Sequence, residues 1–93
     1  MRLSTSDVYA IRDAWSTGRR SLAETAMDLR VLIGDRAAGS PIEGALRSLW
    51  WDIEVPSAVA LAEGRGDAEL TADERQAIED AFDAIEVVII SAS

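Results

Sequence analysis

The stretch Ser40–Pro56, SPIEGALRSLWWDIEVP, decides how the rest of the chain is read. Ser40, Pro41, Ile42 and Glu43 spell a capping box with proline at the first helical position. In such a box the serine hydroxyl and the glutamate carboxylate each take an orphan backbone N–H, and the proline has none to leave unpaired. Ile42, Leu46, Leu49, Trp50 and Ile53 then share one arc at about 100° per residue, which predicts an amphipathic helix with Trp50 in the core. Trp51 is about 100° further round, on the side of Gly44 and Ser48. Either a second helix covers it, or it is an apolar anchor for a partner, since tryptophan is enriched among residues that dominate interface energies. Pro56 lacks an N–H and restricts Val55, so the helix is expected over 41–55, with Ser57 capping a short continuation over 58–63 before Gly64.

Three further helices flank this one. Toward the N-terminus, Ser21 and Glu24 form another capping box, opening a helix expected over 22–33 that ends at Gly34. Its main face is Leu22, Ala26, Leu29 and Ile33; Met27 and Val31 lie opposite, and the expectation is that neighbouring helices bury them too. Before it, Ser4, Thr5 and Ser6 offer an N-cap, and Val8, Ile11 and Trp15 recur at helical spacing over 6–17 until Gly18. Toward the C-terminus, Thr71 and Glu74 form a capping box for a helix over 72–89, with Ile78, Phe82, Ile85 and Ile89 on its core face. The opposite face carries Asp73, Gln76, Asp80 and Asp83 as one stripe running into Val87 and Ile90. The tight Gly18–Arg20 turn and the moderate later connections predict a single all-α domain, an up-and-down four-helix bundle.

Composition limits the chemistry available to 93 residues that contain no Cys, no His and no Lys, all nine basic residues being Arg. Thiolate, imidazole and amine chemistry are absent, as are thiolate and imidazole metal sites. A carboxylate pair could still serve a glycosidase, but this length leaves little room for a sugar-sized cleft. The chain is therefore expected not to be an enzyme and to need no cofactor. The segment Glu63–Glu74 has acids at the first, fifth and twelfth positions of an EF-hand-like loop, but Arg65 occupies a ligand position and Ala68 replaces the required glycine, so no metal is expected. The tripeptide Arg65-Gly66-Asp67 is read as coincidence. No secretory signal and no membrane span are evident, and a cytoplasmic protein is expected.

Charge is unevenly distributed. Residues 1–51 hold six acids against seven arginines, a net +1, whereas residues 52–93 hold eleven acids against two, a net −9. Such a field repels nucleic acid and membranes and speeds encounter with basic proteins, although an acidic surface also keeps a small protein soluble. Like charges at helical neighbour spacing cost a few tenths of a kcal/mol, so the stripe on the last helix hints at a partner.

Three pieces of the pattern resemble the colicin D type of bacteriocin immunity protein. A first helix ends in a Gly turn and a Ser-x-x-Glu start follows, here Gly18, Ser21 and Glu24. A third helix reads Leu-x-x-Leu, aromatic, then Asp, here Leu46, Leu49, Trp50 and Asp52. A last helix begins Leu-Thr-x-x-Glu, here Leu70, Thr71 and Glu74. The chain departs from the family pattern at Thr25, where Phe is frequent, and in having two tryptophans for one aromatic residue. The resemblance implies inhibition without chemistry: carboxylates occupy the basic cleft of a tRNA-cleaving toxin where RNA phosphates would sit. The residues expected to bind are Trp51, Asp52, Glu54, Asp67, Glu69, Asp73, Asp80 and Asp83. The expected partner is thus a basic protein, a nuclease toxin or a nucleic-acid-binding complex, without direct nucleic-acid or membrane contact. Two alternatives stand beside it: a phage nucleic-acid mimic that uses the same charge logic to block a host restriction or CRISPR complex, and a structural homodimer joined through Val87, Ile90 and Trp51.

Overall fold

Three of the four helices begin where a hydroxyl and a carboxylate three residues apart replace missing backbone partners. In the computed structural model, which describes residues 3–92, Ser4 and Asp7 cap α1 (Thr5–Ser16), and Ser21 and Glu24 cap α2 (Leu22–Arg36). Thr71 and Glu74 cap α4 (Ala72–Ala92), with reciprocal bonds of 3.0 and 2.8 Å. The bonds are local, so these three starts follow directly from sequence. α3 (Glu43–Ala62) starts differently. Residues 40–42 form a turn, Ile42 holds the N-cap position without a side-chain bond, and the Ser40 hydroxyl is buried without a partner among the described residues. Glu43 reaches one residue further back, accepting from the Gly39 N–H at 2.9 Å, and also binds Arg47. The expected Ser40–Glu43 capping box therefore does not form.

Two expected stops are also overridden. α2 runs through Gly34 to Arg36; the extra turn places Ala37 fully inside the core and brings Arg36 to 3.6 Å from Asp7 on α1. Those gains outweigh the cost of about 1 kcal/mol for a helical glycine. α3 likewise runs unbroken through Pro56, because Leu46, Ile53, Ser57 and Ala60 form one buried face spanning the proline. Burying the second half of that face offsets the one backbone bond that proline removes. Gly18 and Gly64 do terminate helices, at φ of 78° and 70°. At Gly64 the Arg65 N–H reaches the Ala60 carbonyl at 2.8 Å and the Gly64 N–H reaches Leu61, the paired bonds of a Schellman motif.

The helices close into a ring in chain order: α1 packs on α2 and α4, and α3 packs on the same two, the up-and-down four-helix bundle expected. The core joins Val8 and Trp15 of α1, Leu29 and Ile33 of α2, Leu46 and Ile53 of α3, and Ile78, Phe82 and Ile85 of α4. Trp15 stacks on Phe82 at 6.4 Å between ring centroids. Buried Thr25 satisfies its hydroxyl by donating to the Ser21 carbonyl at 2.8 Å. Trp50 is half-buried against the core and donates its indole N–H to the Ala26 carbonyl at 2.7 Å, tying α3 to α2. Met27 and Val31, expected to be buried, are exposed: α2 packs chiefly on α1 and α3, and its outer side faces solvent. The helix α4 continues past residue 89 with Val87 and Ile90 exposed. No helix among the described residues is long and apolar enough to cross a membrane.

Candidate functional site

The arginines decide which carboxylates remain available. Arg12 on α1 bonds Glu79 and Asp83 (2.7 Å) on α4, with Glu86 at 3.8 Å. Arg19 pairs with Asp13, Arg20 with Glu24 and Asp28, and Arg36 with Asp7. Arg47 pairs with Glu43, and Arg65 with Glu63 and Glu74. Arg75 lies over the Trp15 ring and donates to the Asp67 carbonyl, and Arg30 lies over Trp50. Arg2 lies outside the described residues. Every described arginine is thus engaged away from the outer edge between α3 and α4.

At that edge a groove of about 470 Å³ opens between the two helices. Asp52 and Pro56 of α3 and Asp80 of α4 line it, over an apolar floor of Leu49, Ala77, Ala81 and Ala84, with exposed Val55 at its rim. The alanines keep α4 low on this side, so the groove follows from their spacing at i, i+4 and i+7. Asp52 and Asp80 are exposed, and neither pairs with a guanidinium among the described residues; Asp80 accepts only from Gln76, at 2.8 Å. Asp73 stands two turns before Asp80 on the same stripe, about 10 Å along the helix, also without an ion pair among the described residues. The local field is therefore that of uncompensated negative charge beside apolar surface, suited to an arginine- or lysine-bearing segment with an apolar base.

The other residues expected at the site are dispersed. Asp83 is turned to Arg12 on the α1 side. Asp67 caps α2 from a distance, its Oδ2 accepting from the Leu22 N–H at 2.8 Å, and Glu69 accepts from the Gly66 N–H within its own 3₁₀ turn, Asp67–Glu69. Both charged members of the Arg65-Gly66-Asp67 tripeptide serve internal bonds, and Arg65 ties together Glu63 and Glu74, the acids at the ends of the EF-hand-like segment. Bonds from Arg65, and then from the Thr71 N–H, push the Glu74 carboxyl down to about 2. Glu54 lines a different groove, between α2 and α3. Trp51 is 56% exposed, so no second helix covers it; it meets Trp50 edge-on at 4.9 Å and lines a hollow with Arg30 and Arg47.

Sequence reading missed the row Trp51, Val55 and Val59 along the outside of α3, exposed at i, i+4 and i+8. The signal was present, but treating Pro56 as a stop hid it. Comparisons with protein-family models, curated proteins and solved structures found no match to this chain.

Proposed function

We propose that the chain is a non-enzymatic binding protein whose α3–α4 groove receives a basic, partly apolar surface of another protein, as an immunity protein does when it occupies the phosphate-binding cleft of a nuclease toxin in the cytoplasm. One observation carries this reading: Asp52 and Asp80 line a single groove over an apolar floor while the described arginines are all committed elsewhere. Carboxylates on two packed helices lose little freedom on binding, so they are better mimics of a phosphate row than acids on a tail. Val55 supplies an apolar shoulder beside the acids. Asp73 extends the acidic row along α4.

The experiment is to mix the protein with a candidate toxin encoded beside its gene and to measure affinity at low and high salt. Tight binding that weakens as salt rises, and that Asp52→Arg with Asp80→Arg abolishes, is the expected result. Binding indifferent to salt and to both substitutions defeats the electrostatic reading.

A further inference from the structure

The opposite flank of α3 carries a second surface of different character. A groove of about 400 Å³ runs between α2 and α3, lined by Met27, Trp50, Ala58 and Leu61 together with Arg30 and Glu54. It continues past Trp50 into a hollow of about 260 Å³ beside Trp51 and Arg47. Leu61 is 73% exposed, and Met27 and Trp51 are more than half exposed. Several large apolar side chains standing open on one flank are the signature of a covered face.

The charges in this groove say what covers it. Arg30 lies over Trp50 and has no carboxylate partner among the described residues. Glu54 has no guanidinium partner among them, and the two lie in the same groove without pairing to each other. An occupant that covers Met27 and Leu61 strips water from both charges, which is unfavourable unless it brings a carboxylate to Arg30 and a cation to Glu54. A second copy of this chain brings both. A two-fold axis normal to the groove, midway between the two residues, sets each Arg30 opposite the other copy's Glu54 and turns the same apolar surface onto itself, the self-complementarity an isologous interface requires.

We propose that the chain forms a two-fold symmetric homodimer through the α2–α3 groove, held by Met27, Leu61 and Trp51 and put in register by reciprocal Arg30–Glu54 pairs. The α3–α4 grooves stay open on the far flank of each α3. The dimer presents two acidic sites, and a partner offering two basic sites gains avidity from it. The dimer does not rest on the nature of that partner.

The test is sedimentation equilibrium of the full chain over about 1 to 300 µM, with circular dichroism to check helix content. The variants are Arg30→Glu, Glu54→Arg, the double swap, Leu61→Asp and Ile90→Asp. The expected result is a wild-type dimer, each single swap weaker by about tenfold or more, and the double swap restored to within about threefold. Leu61→Asp should be monomeric and Ile90→Asp should not differ from wild type. A monomeric wild type overturns the proposal, as does a dimer that ignores the single swaps or a double swap no better than either. Dissociation by Ile90→Asp but not by Leu61→Asp assigns the interface to α4 and also overturns it. Toxin binding through Asp52 and Asp80 is read separately, so failure of one proposal leaves the other standing.

Discussion

Arg12 of α1 donates to Asp83 of α4 at 2.7 Å, and the same guanidinium bonds Glu79 one turn earlier. One cation thus fastens the edge where α4 closes on α1, with its side chain 19% exposed and lying over the Phe82 ring. Replacing Arg12 by Ala leaves Glu79, Asp83 and Glu86 facing one another without a counter-charge and uncovers Phe82. The expected cost is about 1 to 2 kcal/mol in urea denaturation. Asp83→Asn, at a carboxylate 63% exposed, should change stability by no more than about 0.5 kcal/mol, and should leave partner affinity nearly unchanged.

Asp67 has a different duty from Asp52 and Asp80. Its carboxylate accepts the Leu22 N–H at the start of α2, forty-five positions away in sequence. Asp67→Ala is expected to lower stability by about 1 kcal/mol through the lost cap. It should leave partner affinity within about twofold once folding is accounted for, whereas Asp52→Arg should have the reverse profile. Equal loss of affinity for both variants would show that the partner reaches the loop as well as the groove.

Glu74 makes stability depend on acid in a defined window. Its carboxyl is held at about 2 in the folded state against an ordinary 4.5, chiefly by Arg65 and then by the Thr71 N–H. A depressed folded value means that the contribution is complete above about pH 4.5 and disappears as the pH falls toward 2. Glu74→Gln should therefore unfold at lower denaturant concentration than wild type at pH 7, with the two midpoints converging across that window. The comparison cancels the general relief of negative self-repulsion on acidification, which both proteins share. A difference that stays constant down to pH 2 would rule out the charge as its source.

Gly34 lies inside α2 on its exposed side, and a Cβ added there meets nothing within 4 Å. Gly34→Ala should stabilise the protein by about 0.5 to 1 kcal/mol, visible as a higher thermal midpoint without change in partner binding.

The capping boxes at Ser21 and Thr71 were legible because each is closed by groups three residues apart, and the turns at Gly18 and Gly64 because a left-handed residue after a helix is also a local requirement; at the first helix the sequence offered an N-cap among Ser4, Thr5 and Ser6, and the box that Ser4 closes with Asp7 was not read. The bundle followed from four apolar faces and short connections. Gly34 and Pro56 misled for one shared reason: each carries a local preference of about one to three kcal/mol, and long-range burial of Ala37, Ser57 and Ala60 exceeded it; at Ser40 the departure is local, since the Glu43 carboxylate takes the Gly39 N–H instead. The site divided in the same way. Sequence by itself determined that the second half of the chain is acidic and that two adjacent tryptophans must point to different sides. Only the tertiary structure decided which acids remain uncompensated. Arg12 reaches Asp83 across 71 residues and Leu22 reaches Asp67 across 45, while no arginine reaches Asp52 or Asp80 among the described residues. Ion pairing depends on distances set by helix packing, and those distances have no counterpart in spacing along the chain.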